Sequence, residues 1–470
     1  MTSTPALDQR TTTKAVLISV VAAIGGFLFG FDTAVINGAV DAIQGDFALS
    51  SVLIGFTVSC ALLGSALGAW YAGPLADRTG RVRVMLIASA LFTVSSIGSG
   101  LAFGVWDLIF WRFVGGVGVG AASVIAPAYI AEVAPAHVRG RLGSLQQLAI
   151  VLGIFAALLS NAFLAGASGG AAEPWWFGLE TWRWMFLAEL VPALAYGILA
   201  LQVPESPRYL VAKGELKRAA EVLREVLGSR SREAVQQKIN DIRTSLRRED
   251  DPSLRDLLGR RFGLLPIVWV GILLSVFQQF VGINVIFYYS TTLWRSVGFT
   301  ESDALTASVI TSVTNVVVTL VAIAIVDRVG RKPMLVGGSI GMAVTLTVMA
   351  VCFSQSTGSG DNVSLPEPWG QVALVAANLY VVAFGATWGP VVWVLLGEMF
   401  PNKIRAAALA VAAAAQWLAN FAISTSFPAL ADIGLSFAYG LYATFAAISL
   451  FFVLRAVRET KGMELEDMTG

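Results

Sequence analysis

The chain has 470 residues, 56% hydrophobic and only 13% charged, with a mean hydropathy of +0.72. Soluble domains carry about a quarter charged residues, so this balance excludes an ordinary soluble globule and indicates a membrane protein. A net charge of +1 offers no basic surface for nucleic acid, and Cys60 and Cys352, far apart in apolar runs, make neither a disulfide framework nor a metal site.

In chain order, apolar stretches of about 20 residues, each long enough to cross ~30 Å of hydrocarbon, predict twelve spans. They fall near 15–38, 53–76, 84–103, 106–130, 141–165 and 182–202, then 262–290, 303–326, 334–354, 370–396, 404–427 and 435–456. The first run exceeds the ~7–15 residues of a secretory signal core and has no small-x-small cleavage site, so it is expected to stay as a span. Loops on one side carry Arg78, Arg81, Arg83, Arg139, Arg141, Arg328, Arg331, Lys332, Lys403 and Arg405. The alternate loops carry Asp41, Asp46, Glu173, Glu180, Asp361, Glu367 and Asp432, with Arg295 almost the only cation. The positive-inside rule then places both termini and the central loop in the cytoplasm.

Between residues 203 and 261 the charge density jumps to about 14 Lys/Arg and 10 Asp/Glu, and "ELKRAAEVLREVLG" has the 3.6-residue period of amphipathic helices. The chain therefore divides into a six-span half at 1–202, a helical linker at 203–261 and a second six-span half at 262–470. The linker is expected to be either a solvated face or a lid on the inner faces of both halves.

The halves repeat. "GPLADRTGRVRVM" (73–85) follows the second span as "IAIVDRVGRKPML" (323–335) follows the eighth, and "AEVAPAHVRGR" (131–141) follows the fourth as "GEMFPNKIRAA" (397–407) follows the tenth. Duplicated six-helix units with a substrate site between them near the midplane suit alternating access. Asp77, Arg81, Glu132, Arg139, Asp327, Arg331, Glu398 and Arg405, with Glu205 and Arg208 of "PESPRYL", form a candidate gate on the cation-rich side. Single surface ion pairs contribute only ~0–1 kcal/mol, so such charges bias an equilibrium only as a network made in one state and broken in another. Loops that merely fix topology leave the paired acids unexplained. His137, the only histidine, lies in one of these loops and reads as a surface residue.

Charges inside the spans are fewer and cost more. Asp32 stands in "GGFLFGFDTAVINGA", about six residues from the outer end of the first span, and Arg112 about as far into the fourth, so both lie ~9 Å deep. An unpaired charge near the bilayer centre costs at least ~2.5–3.5 kcal/mol, which makes equal-depth opposites candidate partners. A carboxylate that alternates between a guanidinium and a desolvated site takes up and releases a proton, whereas a fixed ion pair does not. Glu189, in "FLAELVPAL" of the sixth span, is a further candidate for proton coupling on the inner side.

Gln147, Gln278, Gln279, Asn284, Asn315 and Gln416 are amides inside apolar helices, each able to donate to and accept from hydroxyls, or to bond between helices. On an ideal helix Asn284 lies about 240° from Gln278, so both face one ligand only if the helix breaks at Gly282. Trp388, Trp393 and Trp417 offer aromatic surface, and Gly389 with Pro390 lets the tenth span bend. The glycines of "GGVGVGAAS" lack a preceding strand and read as helix-packing positions rather than a nucleotide loop. No nucleophile, base and orienting group converge, which disfavours an enzyme.

"DRTGR", "DRVGRK", "PESPRYL", "RFVGGVGVGAASVIAPAYIAEVAP" (112–135), "QQFVGINVIFYYS" (278–290) and "GPVVWVLLGEMFPNKIR" (389–405) together resemble the sugar porter family of the major facilitator superfamily, from about residue 20 to 460. "RETKG" (458–462) departs from the family's usual Pro at its first position. The resemblance implies an all-α membrane protein with the major facilitator fold, twelve helices in two halves plus short cytoplasmic helices. It further implies a proton-coupled symporter importing a monosaccharide through the cell membrane, with the proton as coupling ion, no cofactor, and function as a monomer in the lipid bilayer. The matching positions make Asp32 the coupling carboxylate tuned by Arg112; facilitative members commonly lack an acid there. The amides above match sugar-binding positions, and Ile154, where the family varies between Gln and an apolar residue, leans towards a hexose such as glucose. The inner charges match a latch that holds the cytoplasmic side closed while the outside is open. Alternatives are a facilitative uniporter of the same fold and a sugar sensor, although the latter needs a longer tail than the ~14 residues at each end.

Overall fold

The computed structural model describes residues 9–134, 139–227, 232–248, 254–259, 263–357, 364–401 and 404–460. Twelve of its helices are long and apolar enough to cross a membrane: Lys14–Gly38, Ser51–Thr79, Arg81–Gly100, Val105–Val133, Leu145–Ser168, Thr181–Ala200, Pro266–Arg295, Glu301–Ile325, Arg331–Ser354, Trp369–Met399, Ala407–Ile433 and Leu435–Ala456. They match the expected spans one for one, and the discrepancies sit at polar ends. The second span starts where the Ser50 side chain accepts the Leu53 N–H, and the eighth where Thr300 accepts from Asp303, capping donors that hydropathy alone does not see. The first span begins at the near end of the bundle and runs to the opposite, far end.

Three spans are discontinuous. The sixth turns at Ala188 and Glu189 between Thr181–Leu187 and Leu190–Ala200, and the tenth at Ala386 and Thr387 between Trp369–Gly385 and Trp388–Met399. The seventh breaks between Pro266–Phe280 and Ile283–Arg295 at Gly282, whose φ of 84° is left-handed and open to glycine at little cost. Broken helices at membrane depth persist where protein or a cavity satisfies the freed backbone.

The first and fifth spans approach backbone to backbone. A Cβ on Gly30 would fall against the Ile150 carbonyl oxygen, and one on Gly153 against that of Phe27. Because neither carbonyl can yield without moving a helix, Gly30→Ala is expected to cost about 1–3 kcal/mol, read as a lower thermal melting temperature in detergent. The halves meet through the second and eleventh spans, where Ser59 and Thr425 hydroxyls lie 2.6 Å apart, and through the fifth and eighth.

The described linker helices keep their charged faces exposed and bury their apolar stripe on the first half. In the helices Pro207–Ala212, Leu216–Leu227 and Arg232–Arg248, the apolar residues Leu210, Val211, Ala219, Val222, Leu223, Val226, Val235 and Ile239 are buried in one core with Ala15, Ile18 and Ala22 of the first span. Lys14 adds an ion pair to Glu225. Among the described linker residues, only the segment at Leu257 packs against the second half, on the eleventh span. The apolar stripe of this linker thus belongs to the near end of the first half.

Candidate functional site

Asp32 and Arg112 meet inside the first half, both 2% exposed, with Arg112 Nη1 3.8 Å from Asp32 Oδ1. The guanidinium is held by two backbone carbonyls, Nη1 donating to Asp32 O (3.1 Å) and Nη2 to Val58 O (3.3 Å), and lies 5.7 Å from the centre of the Phe186 ring. One turn beyond Phe186, at the interruption of the sixth span, Glu189 is 1% exposed and within electrostatic reach of both charges. Among the described residues, Asp32 Oδ2, Arg112 Nε and Glu189 Oε1 have no hydrogen-bond partner, so this is a loose cluster rather than a bidentate pair. Room for the carboxylate comes from Gly115, where a Cβ would lie 3.0 Å from Asp32 Oδ1; its role was hidden among the other glycines of the fourth span.

The break at Gly282 brings the seventh-span amides into one chain. Asn284 Nδ2 donates to Gln279 Oε1 (2.6 Å), Gln279 Nε2 to Gln278 Oε1 (3.4 Å), and Gln278 Nε2 to the carbonyls of Trp388 (3.0 Å) and Gly389 (3.3 Å) at the start of the second segment of the tenth span. Gln278 therefore links the two broken helices. Trp388 corrects the expectation that it offers a ring to a ligand: it is fully buried, and its indole N–H donates to Leu335 O and Ser339 Oγ inside the second half. Trp393 is instead 45% exposed, on the helix face it shares with Gly389 and Gly397, turned away from its own half's core. Trp417 is half-buried and packs 5.8 Å from Phe29 of the first half, next to Gln416, whose Oε1 is buried without a partner among the described residues. Asn315 is buried beside Gly385; Gln147 and Ile154 are half-buried on the fifth span.

The far end is sealed by residues that sequence reasoning did not place in the site. Asn37, 1% exposed, donates to Phe287 O and Ser290 Oγ (both 2.9 Å) and accepts from the Thr291 hydroxyl (2.5 Å), tying the first span to the seventh. Above it Asp41 accepts from Thr292 and pairs with Arg295, each at 2.7 Å. The only signals were an amide in the apolar run of Asp32 and a lone cation among acidic loops. A vestibule of about 1200 Å³ opens over this seal, lined in part by Asp41, Arg295, Glu301 and Asp432. Since the Asp41–Arg295 pair is partly exposed, it contributes at most ~1 kcal/mol. Asp41→Asn is expected to raise labelling of a cysteine at Ser290 by an impermeant maleimide by up to about fivefold.

At the near end, each half carries its own copy of one charged cluster. Arg81 forks onto Glu132 (3.1 and 2.9 Å) and touches Asp77 (3.0 Å), while the Ser206 hydroxyl donates to Glu132 (2.5 Å). Glu205 accepts the N–H groups of Arg81 and Val82, and Arg208 lies 4.0 Å from Glu132. In the second half Arg331 forks onto Glu398 (3.1 and 2.8 Å), the Thr460 hydroxyl donates to Glu398 (2.6 Å), and Glu459 accepts the N–H groups of Arg331 and Lys332 (both 3.0 Å). None of these bonds crosses between halves, and they are formed while the far end is shut. In this arrangement, with the far end shut, they hold each half together. Arg405 bonds Phe400 O rather than Glu398. The side chains of Arg139 and Asp327, and His137, lie outside the described residues. Among the described residues no three His, Cys, Asp or Glu are placed to hold a metal.

A family model described as sugar (and other) transporter matches residues 18–470. The chain belongs to the sugar porters. This porter is 61% identical to a glucose transport protein of Synechocystis sp. over 99% of both chains, and 38% identical to the D-xylose-proton symporter of Escherichia coli K12, covering 96% of this chain and 94% of that one. Its fold matches the E. coli xylose transporter XylE in the inward-open conformation (TM-score 0.81, 37% identity, 96% and 98% covered). The partially occluded inward-open form matches at TM-score 0.82 and 36% identity, with 96% and 100% covered. Fold, twelve spans and transporter family agree, and the porter is a multi-pass membrane protein.

Proposed function

We propose that this porter carries a monosaccharide, with a hexose such as glucose favoured, together with a proton into the cell by alternating access, with both termini in the cytoplasm and one chain sufficient. The observation that carries the coupling is a charge count. Two carboxyls, Asp32 and Glu189, and one guanidinium, Arg112, are each at most 2% exposed inside the membrane-spanning bundle. With all three ionised the cluster keeps a net negative charge that the surroundings do not solvate, so it is balanced when it holds one proton. Protonation weakens the hold of Asp32 on Arg112, and the first span, which carries Asp32 and the Asn37 seal, is thereby coupled to opening of the far end. Relatives named as a glucose transport protein and a D-xylose-proton symporter support both halves of the reading.

On the sugar side, the amide chain Asn284–Gln279–Gln278, Gln416 and the exposed face of Trp393 line the second half's part of the site; Gln147 and Ile154 supply the first half's. Glutamine and asparagine match sugar hydroxyls as donor and acceptor at once, and the indole face matches ring C–H groups. The apolar Ile154 takes no hydroxyl contact and favours glucose. The test is uptake of labelled glucose, xylose and arabinose into proteoliposomes at several imposed pH gradients. Glucose is expected to accumulate above its external concentration when the outside is acidic and to equilibrate when the gradient is collapsed. Equilibration at every gradient identifies a uniporter instead.

A further inference from the structure

Two turns on the near side of the charged cluster, a second set of buried polar atoms faces the first span. Among the described residues, the Tyr196 hydroxyl and both amide atoms of Gln146 have no hydrogen-bond partner, although Tyr196 is wholly buried and Gln146 is 9% exposed. A Cβ on Gly25 would lie 2.8 Å from the Tyr196 hydroxyl, and one on Gly26 would lie 2.8 Å from Gln146 Nε2 and Oε1. Phenol and amide thus both converge on the glycine pair.

The register is the same on both helices. Gly25 precedes Asp32 by seven residues, and Tyr196 follows Glu189 by seven, on spans that run in opposite directions. Seven residues rise ~10.5 Å, so one step towards the near end leads from the carboxyl pair to the phenol and amide. The intervening wall is polar in places: Ser89 of the third span bonds Ala193 O, and a Cβ on Gly197 would lie 2.6 Å from its hydroxyl. A buried polar group left unbonded costs ~1–3 kcal/mol, and such groups are ordinarily held by ordered water. Meanwhile Asp32, Arg112 and Glu189 are closed from both surfaces, even though the far end is already sealed. A proton released there needs a route.

We infer that Tyr196 and Gln146 are stations on a proton path inside the first half, running from Glu189 to the near end apart from the sugar's route. This rests on the proposal that Asp32 carries the coupling proton. Asp32 gives its proton to the Glu189 carboxylate, and Glu189 gives it to a water. The Tyr196 oxygen accepts a proton from that water as its own passes to a second water bound by Gln146. Each oxygen gains one proton and loses one, so the net change is one proton moved inward. Among the described residues, the charged and titratable groups around the path are Asp32 from the first span, Cys60 from the second, Arg112 from the fourth, Glu189 from the sixth and Tyr288 from the seventh; the third and fifth contribute the neutral Ser89 and Gln146.

Tyr196→Phe removes a single oxygen, and Gln146→Leu removes both amide atoms at similar volume. In proteoliposomes, sugar counterflow at equal pH reports folding and sugar binding, while a trapped pH dye reports sugar-driven proton entry. Both variants are expected to keep counterflow within about twofold while proton entry and gradient-driven uptake fall about a hundredfold or more, the order of one lost proton-transfer group. The remaining uptake is expected to slow further in D₂O. Counterflow and proton entry falling together, or neither falling, overturns the path and leaves the groups structural. If the unmodified porter moves no proton with sugar, the coupling proposal itself fails and the path with it.

Discussion

Asp32→Asn is expected to abolish accumulation of sugar against its gradient while leaving counterflow exchange on the order of the wild-type rate. Asparagine keeps the shape and can still face Arg112, but it carries no titrating proton, so sugar binding and helix motion survive and the thermodynamic link is cut. The measurement is a pair of assays on one proteoliposome preparation: uptake driven by an inward proton gradient, and exchange with preloaded sugar at equal pH. Concentrative uptake at the wild-type level would reduce Asp32 to an anchor for Arg112. Loss of both activities would show that the side chain is needed for the sugar cycle and not for coupling alone.

Arg112→Met is expected to be the most damaging single change to stability. It leaves Asp32 and Glu189 buried with no cation, and breaking a buried ion pair from one side costs about 3–5 kcal/mol. Thermal melting in detergent should fall by several degrees and transport should be lost. Adding Asp32→Asn to Arg112→Met should recover most of the stability without recovering coupled transport, because the remaining Glu189 can be held neutral. A double variant no more stable than Arg112→Met would mean that the arginine acts through its bonds to the Asp32 and Val58 carbonyls rather than through charge.

Much of the fold was legible because a bilayer imposes a length and a polarity on every span. The Asp32–Arg112 pair was legible for a related reason: charges in hydrocarbon are scarce, and two at equal depth leave few alternatives. The linker was less so, since a 3.6-residue stripe says that a face is buried but not against which half. Trp388 was misread because an indole in an apolar helix looks the same whether it faces a cavity or a neighbour; only the Leu335 and Ser339 acceptors distinguish them. The seal at Asn37 stayed hidden because Ser290 and Thr291 look like ordinary packing hydroxyls, and their partner lies some 250 residues away. At the near end, the seven-residue spacing of Glu132 and Arg139 drew the eye to a local pair, whereas the arginine that forks onto Glu132 comes from the third span.

The matched dipeptides Glu205–Ser206 and Glu459–Thr460 also bear on how this molecule is cut or tagged. Each sits just past the last helix of its half and folds back to cap the third helix of that half, after Gly80 and Gly330, whose φ angles of 102° and 104° are nearly the same. The functional unit of each half therefore runs past its sixth span. A split transporter for co-expression should be divided within the linker beyond Arg248, whose helix packs on the first half, not at residue 202. A fluorescent or affinity fusion should be joined after Thr460, because truncation at Ala456 would strip the carboxylate that covers the start of the ninth span.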